Sequence, residues 1–455
     1  MITMRKESLL ILLSCCAALA LSGLSSVRPQ AEAAIEPAAS SNAAPQVSDH
    51  RAPVLGADMS FADGPHVLIE AWQDKELGEA LTAAFKNAGV RTIRFLPGGL
   101  YSTRGPEATA ALKAENKLTN QYPWFPLENY IAYVAANDFT TVVGVNVEEG
   151  PDVAEDMIEE FIKRGLKSKI VAVELSNEPW LNPRPWMPEE YAARAADVIE
   201  RLTPLGVRFG LPLTVGKERN TPTKLSDNEW NSRMLSALAA RVDLKNRSDI
   251  YGVLHLYSRG VRAGSIKIFN DAVKPFAPGM RYLVTEFNIR LGLEGNPHLG
   301  NKYAMEFARK LADVMSEPDI EAMYVHSVPY HSIMYWANGR KNATIIGARD
   351  PRLKGEDLSR GWHLTPAGKV YQLYSRLAWN GDVIAYKGGD KQSYWAVRAS
   401  GGRMIVTLLN DSDKQVKKKV KIGGQELSLS ARPRSIACFD SNGQEIESLS
   451  LNNGP

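Results

Sequence analysis

Val171-Ala172-Val173-Glu174-Leu175-Ser176-Asn177-Glu178-Pro179-Trp180 opens as a short apolar run with β-branched residues and closes on Asn-Glu-Pro. Such a run suits a buried strand. Proline has no N–H to give a ladder, so Pro179 ends the strand just past the glutamate. The Glu178 carboxylate is thereby delivered to the rim of a sheet on a stiff support. Arg281-Tyr282-Leu283-Val284-Thr285-Glu286-Phe287-Asn288 is built in the same way, a second short apolar run ending in a glutamate. Two strand-end glutamates become partners in one site only if the rest of the chain folds so as to bring them together.

Outward from these stretches a short apolar strand alternates with an amphipathic helix. Besides the two stretches already quoted, strands are expected at 53–60, 91–96, 140–147, 208–215, 250–257 and 320–328. Helices are expected at about 75–88, 128–136, 153–164, 188–202, 228–242, 266–276, 300–315 and 366–378. Gly89 and Gly165 act as stops, and Pro188 opens its helix where a missing N–H costs nothing. Alternation of this kind implies parallel strands joined by helical crossovers. Eight units imply a (β/α)8 TIM barrel over residues 53–380, with its active site at the C-terminal ends of the strands. Both glutamates fall on that face. A doubly wound open sheet is the alternative, but Leu55-Gly56-Ala57-Asp58 after the first strand offers a single glycine where a dinucleotide fingerprint needs three.

From about residue 383 the period changes. Short strands at 393–398, 403–409, 417–422, 425–430 and 435–440 are separated by turns such as Gly401-Gly402 and Asn410-Asp411. This predicts a small C-terminal antiparallel β-sandwich domain, residues 381–455, packed on the barrel.

At the other end, Arg5 and Lys6 precede an apolar core from Leu9 to about Leu24, followed by Ala31-Glu32-Ala33. Residues 1–33 read as a secretory signal peptide, which places the mature chain in a secreted or periplasmic setting with no remaining membrane span. A retained anchor is the competing reading. Residues 34–52, rich in Ala, Ser and Pro, read as a flexible leader. Of three cysteines only Cys438 lies beyond the signal, so no internal disulfide forms and a large core must carry stability alone. The 455 residues are 44% apolar and 23% charged with a net charge of +3, an ordinary globular balance. Lys417-Lys418-Lys419 is the one basic run, and nothing asks for nucleic acid. The chain is expected to be a monomer.

Glycosidic cleavage passes through an oxocarbenium-like transition state. It needs an acid at the leaving oxygen and, in retaining enzymes, a carboxylate about 5–5.5 Å away to attack the sugar carbon. Strands four and seven of an eight-stranded barrel lie on roughly opposite sides, so Glu178 and Glu286 can face each other across a sugar. Asn177-Glu178-Pro179 together with Thr285-Glu286-Phe287-Asn288 resembles clan A of the glycoside hydrolases. Two further matches fall in order: Arg94 in Thr-Ile-Arg-Phe and His255-Leu256-Tyr257 on strand six. The resemblance covers about 53–379. It implies a (β/α)8 retaining hydrolase in which Glu178 is the acid/base and Glu286 the nucleophile, with a poly- or oligosaccharide substrate and neither cofactor nor metal. The Thr-Glu-Phe-Asn form and the trailing β domain look most like families 39, 44 and 51 and related hydrolases of bacterial exopolysaccharide.

Each matched residue then has a physical task. Asn177 can bond a sugar hydroxyl beside the reacting carbon, Arg94 can hold Glu286 ionised, Tyr257 can donate to the same carboxylate, and His255 can orient the site. The resemblance also implies an aromatic platform near the end of strand eight, for which Trp336 and Tyr330 are the candidates. Tyr101, Tyr122, Trp124, Trp180 and Trp186 in the loops can stack on sugar faces or pack the rim. A row of them favours an endo-acting cleft on an extracellular polysaccharide, whereas a closed pocket favours exo-action. His326 and His331 match no common zinc spacing and are expected in hydrogen-bonding roles, with sugar hydroxyls among the partners open to them. Glu174, two steps of two before Glu178, is expected to share its face as a barrel-interior partner. Glu148 and Glu149 read as loop charges. Lys217, Arg219, Arg259, Arg262 and Arg290 can bind an acidic glycan or remain solvated. A glycan-binding protein on a catalytically dead barrel is the rival from another class, and a metal-dependent barrel hydrolase is a second.

Overall fold

Eight parallel strands close into a barrel in chain order among the described residues of the computed structural model. Those residues are 49–58, 75–95, 102, 104–115, 126–181, 186–214, 223–257, 271–289, 300–326, 333–337, 361–389 and 391–451. The barrel strands are β2 (Val54–Asp58), β3 (Thr92–Phe95), β4 (Thr140–Val145), β5 (Ile170–Leu175), β6 (Phe209–Pro212), β7 (Ile250–Tyr257), β8 (Tyr282–Asn288) and β9 (Ile320–Val325). The last, β9, pairs with β2 to shut the ring.

Seven of the helices expected from the sequence appear close to their places: α1 (Lys75–Ala88), α3 (Leu127–Asn137), α4 (Pro151–Lys163), α5 (Pro188–Leu202), α6 (Asp227–Ala239), α7 (Asn301–Met315) and α8 (Pro366–Ala378). Their ends carry recognisable chemistry. Ser226 and Thr365 cap α6 and α8 by accepting the N–H of Glu229 and Gly368, and proline opens α4, α5 and α8. A further helix, α2 (Pro106–Ala114), was not anticipated. It buries none of its residues, so it lacks the apolar stripe by which helices were recognised.

The strands are covered on both faces, as parallel strands must be. Outward-facing residues such as Val173, Val284 and Phe287 join the helices in the main core. Inward-facing residues form a separate plug of Val142, Ala172, Tyr251, Val253, Leu283, Ala322 and Tyr324. The plug is tight: a Cβ on Gly56 would stand 2.6 Å from the Thr92 methyl and 2.7 Å from the Tyr324 ring, a gap only glycine leaves open. Above this plug the interior turns polar, and that layer holds the site.

The C-terminal strands form two sheets. The larger runs β1-β12-β13-β14-β17-β18, all antiparallel, from β1 (His50–Arg51), β12 (Asp382–Lys387), β13 (Gln392–Arg398), β14 (Met404–Asn410), β17 (Ser435–Phe439) and β18 (Glu445–Ser450). The smaller is the hairpin β15 (Val416–Ile422) and β16 (Gln425–Ala431). The inner faces share an apolar core that includes Tyr394, Val406, Leu408, Leu427 and Leu429. This is the expected sandwich with two changes. The strands β12 and β18 were not foreseen, and residues 50–51, read as leader, supply its edge strand by pairing with Val383 and Asp382. The opposite face of the larger sheet joins the barrel core, where Trp395 meets Tyr374 of α8 edge-on at 4.9 Å.

A second hairpin, β10 (Met334–Ala337) with β11 (Gly361–Leu364), sits between β9 and α8, where the sequence suggested an extended loop. The signal and most of the leader, the aromatics Tyr101, Tyr122, Trp124 and Tyr330, and His331 lie outside the described residues. So do Lys217, Arg219, Arg259, Arg262 and Arg290. Among the described residues no helix is long and apolar enough to cross a membrane.

Candidate active site

The polar layer is built by period-two alternation. Strand residues two apart point to the same side, so the interior positions Gly56, Thr92, Ala172, Val253 and Tyr324 place Asp58, Arg94, Glu174, His255 and His326 on the axis one step nearer the C-terminal rim. One element breaks this rule. Leu283 faces inward, so plain alternation puts Thr285 inward and Glu286 outward. Instead the ladder slips at Thr285: Leu254 pairs with Val284, but the next residue, His255, pairs with Glu286. The same extra residue appears against β9, where Val284 and Phe287 oppose Met323 and Val325. This β-bulge returns Glu286 to the interior, the re-aiming that bulges perform beside active sites.

Arg94 is the hub. It is fully buried and its fork is fully engaged. Nε donates to Glu174 Oε2 at 2.8 Å and Nη2 to Glu174 Oε1 at 2.5 Å. Nη2 also donates to Asn177 Oδ1 at 3.0 Å, and Nη1 to Glu286 Oε1 at 2.7 Å. Asp58 Oδ2 lies 3.4 Å from Nη1. Desolvation opposes the charge, but Glu174, Asp58 and Glu286 outweigh it and raise the guanidinium pKa well above its ordinary value. Glu174 is thus the interior partner its spacing suggested.

Glu286 accepts the Tyr257 O–H as well as the Arg94 contact. His255 Nδ1 stands 3.4 Å and His326 Nδ1 3.8 Å from its Oε2. Burial alone would raise this carboxyl, and His255, His326, Arg94 and the Tyr257 bond together hold it far below the usual carboxylate range. It is therefore an ionised, water-poor carboxylate. The Tyr257 hydroxyl is pushed well up, by burial first and then by Glu286 beside it, so it stays a donor.

Glu178 sits at the mouth of the same cavity, its side chain 20% exposed against 7% for Glu286. The turn that presents it contains two non-glycine residues with positive φ, Ser176 at 70° and Glu178 at 40°. Such backbone is sparsely populated and clusters at functional sites. It lets the consecutive Asn177 and Glu178 both reach the interior. Glu178 Oε1 is 2.9 Å from His255 Nδ1, and the nearest oxygens of Glu178 and Glu286 lie within 4.8 Å of each other. His255 thus bridges the two glutamates with one ring nitrogen, while its Nε2 stands 3.8 Å from Glu174 Oε1. Carboxylates flank both nitrogens, with Arg94 Nη2 also 3.4 Å from Nε2, and their charge favours the imidazolium. Desolvation opposes this, but Glu286 and Glu178 lift its pKa to about 10.

Arg94, Asn177, Glu178, His255, Tyr257 and Glu286, named from sequence, therefore converge in one site. Others go elsewhere. Trp180 was expected to face a sugar, but it is only 3% exposed and packs edge-on against Trp230 at 5.2 Å, so it belongs to the core. Trp186 is buried as well. Of the platform candidates, Trp336 lies on the β10 backbone and its side chain, like Tyr330, is outside the described residues. His326 has the hydrogen-bonding role expected of it, with Asp58 at 2.6 Å as its partner. Glu149, read as a loop charge, accepts the Ser102 hydroxyl, and partial burial raises its pKa.

Two residues were missed. Asp58 was noticed only for lying beside a lone glycine, although it stands at the end of the first strand like the glutamates at theirs. Asn146, just past β4, follows Val142 and Gly144 on the inward phase and is 7% exposed. Its Oδ1 accepts the Glu148 N–H, and its Nδ2 is buried without a partner. Asp58, Glu286 and His326 bring ligand atoms within 4.8 Å of one another, as do Glu178, His255 and Glu286. A metal ion at either group would have to displace a cation the protein already supplies: Arg94 at the first and the His255 imidazolium at the second.

Comparison with known proteins gives the fold. No family model matches the chain, and no curated protein matches it in sequence. Solved structures do. The catalytic domain of GH30 xylanase C from Talaromyces cellulolyticus superposes with a TM-score of 0.53 at 12% identity, over 87% of this chain and 98% of that one. The GH51 arabinofuranosidase from Xanthomonas axonopodis pv. citri gives 0.53 at 14%, over 84% and 86%. A GH39 β-xylosidase from Caulobacter crescentus gives 0.51 at 14%, over 83% and 81%. The structural neighbours thus include glycoside hydrolases of GH30, GH39 and GH51 at low identity, and what they share with this chain is the fold.

Proposed function

We propose that the protein is a retaining glycoside hydrolase that cleaves a β-linked poly- or oligosaccharide outside the cytoplasm by double displacement. The observation that carries this reading is the pair of carboxylates within 4.8 Å, one partly exposed at the cavity mouth and the other ionised in a buried cage of cations. A spacing this short is on the retaining side of the two glycosidase geometries and suits direct attack on a sugar carbon.

In the first step the Glu178 carboxyl gives its proton to the glycosidic oxygen as a Glu286 oxygen attacks C1. The C1–O bond breaks, the aglycone leaves as an alcohol, and a glycosyl ester forms on Glu286. In the second step a water loses its proton to Glu178 and attacks C1, and Glu286 leaves as a carboxylate. His255, hydrogen-bonded to Glu178, keeps a proton beside the acid/base through the cycle. Asn177 offers its Nδ2 to a sugar hydroxyl, its Oδ1 being taken by Arg94. The Asn146 Nδ2 is a second free donor at the same level.

Endo-action rests on the aromatic residues of the long loops. The burial of Trp180 and Trp186 removes two of the five aromatics from that row and favours, as a second reading, a shorter exo-acting pocket. The connected set of charged catalytic residues argues against a binding protein on a dead barrel. The test is reducing-sugar release from a panel of plant, fungal and bacterial polysaccharides and aryl glycosides, with folded Glu178→Gln and Glu286→Gln beside the wild type. On the glycan that is cut, Glu178→Gln should lose about 10²–10⁴-fold in kcat and Glu286→Gln at least as much. Undiminished cleavage by Glu286→Gln would contradict the assignment, and binding without cleavage of any glycan would favour the binding protein.

A further inference from the structure

His326 follows β9 and Asp58 ends β2, the two strands that close the barrel, with Ala57 opposite Val325. Asp58 is fully buried and His326 nearly so. A carboxylate without water must be answered by a cation or by donors. Among the described residues two cations stand beside it: Arg94 Nη1 at 3.4 Å and His326 Nδ1 at 2.6 Å. The guanidinium places its short bonds elsewhere, Nε and Nη2 on Glu174 and Nη1 on Glu286, and reaches Asp58 only at 3.4 Å. His326 gives Asp58 the shorter of these two contacts, and the same nitrogen lies 3.8 Å from Glu286 Oε2. The Tyr257 ring stands edge-on to the imidazole at 5.5 Å and 86°, which limits its rotation.

We propose, resting on the assignment of Glu286 as nucleophile, that Asp58 and His326 form a positioning pair in which Asp58 keeps the imidazole doubly protonated and the imidazolium keeps Glu286 ionised between turnovers. His326 then acts as a fixed charge behind the nucleophile and not as a sugar ligand. The groups that face Glu286 from each packed element are Arg94 on β3, His255 and Tyr257 on β7, and His326 after β9. Asp58 on β2 and Glu174 on β5 stand behind two of these, and Glu178 faces it across the cavity. Asp58 also separates two cations, Arg94 and His326, that would otherwise repel each other. Desolvation works against a charged His326, but Glu286 and Asp58 overcome it and raise its pKa. When the glycosyl ester forms, the negative charge on Glu286 disappears, and hydrolysis restores it. A cation that stays in place favours that restoration.

The experiment is the pH dependence of kcat/KM for wild type, His326→Gln and Asp58→Asn on whichever glycan is cleaved. An opposite charge at close range lowers a carboxyl pKa by about 1–3 units. Loss of one of three cations should therefore move the acid limb up by about one pH unit in His326→Gln, and by a part of that in Asp58→Asn. A purely structural role would lower the plateau and leave the midpoint where it was, and that result overturns the proposal. The second measurement needs neither activity nor variants that fold. Nitrogen NMR of the wild-type His326 ring should show both nitrogens protonated at pH 7, and a neutral ring there overturns the proposal. If the ring is charged but no glycan is cleaved, the pair stands and the glycosidase reading falls.

Discussion

Arg94 is the residue on which the site depends most heavily. It is one guanidinium shared by three carboxylates with no water to replace it. Breaking a buried ion pair leaves the other partner uncompensated and costs about 3–5 kcal/mol. Arg94→Met should therefore lose about that much in urea unfolding, and a change below about 1 kcal/mol would mean that Asp58 and Glu174 are compensated from elsewhere. At the opposite extreme is Thr285, whose hydroxyl is buried without a hydrogen-bond partner. Its functional contribution lies in the backbone, so Thr285→Val should keep full kcat. It should also gain about 1–2 kcal/mol, because an unsatisfied buried hydroxyl carries a penalty of about that size. A loss of activity in that variant would show that the hydroxyl is used. Sequence made Arg94, Asn177, Glu178, His255, Tyr257 and Glu286 legible because each ends or nearly ends an apolar strand, where a charged or polar side chain has no other reason to be. It left Asp58 and Asn146 unread, since a lone aspartate or asparagine after a strand looks like ordinary loop chemistry.

At the scale of elements, the eight-fold alternation was readable because a buried parallel strand is a continuous apolar run and its covering helix a striped one. What could not be read is phase. Nothing in Leu283-Val284-Thr285-Glu286 tells whether Glu286 faces the axis or the helices, since the answer turns on one bulged residue. The bulge carries its own prediction. Deleting Thr285 removes the bulge but leaves Glu286 directly after the outward-facing Val284, on the inward phase of plain alternation, so the deletion should keep measurable turnover in a protein that still gives a barrel-like circular dichroism spectrum. Complete loss of turnover in that folded variant would mean that the bulge sets the aim of the carboxylate and not only its phase. The aromatics mislead in a different manner. Trp180 follows Glu178 by two residues and reads as a rim aromatic, yet the short turn over Pro179–Leu181 carries it down against Trp230. The strands β12 and β18 were passed over because the first pairs with residues some 330 positions earlier and the second is largely exposed, so neither has the alternating pattern that marks a half-buried strand.

At the scale of the molecule, barrel and sandwich share one core through α7, α8 and the larger sheet. That junction contains a carboxylate under strain. Asp313 of α7 is largely buried and accepts the Tyr386 hydroxyl of β12. Desolvation, opposed by Lys310 and Arg309, pushes its pKa up to about 6. A folded-state pKa above the unfolded value of 3.8 means that the native protein binds the proton more tightly. This group therefore adds stability as pH falls from about 6 toward 4 and costs stability above that window. Asp313→Asn, which keeps an oxygen for Tyr386, should raise the melting temperature at pH 7.5 by an amount equivalent to about 1–3 kcal/mol and change it little at pH 4.5. An equal shift at both values would mean that the carboxyl is not protonated in the native state at either.

The barrel holds Glu178 and Glu286 within 4.8 Å across one cavity, and under the proposed mechanism that spacing makes a stereochemical commitment. The most direct test is proton NMR of the first product formed from whichever glycan the wild type is found to cleave, read before mutarotation scrambles the anomers. The double-displacement account predicts that the new hemiacetal appears first with the configuration of the bond that was cut. Appearance of the opposite anomer first would mean that water attacks directly and that Glu286 is a base, contradicting the account at its centre.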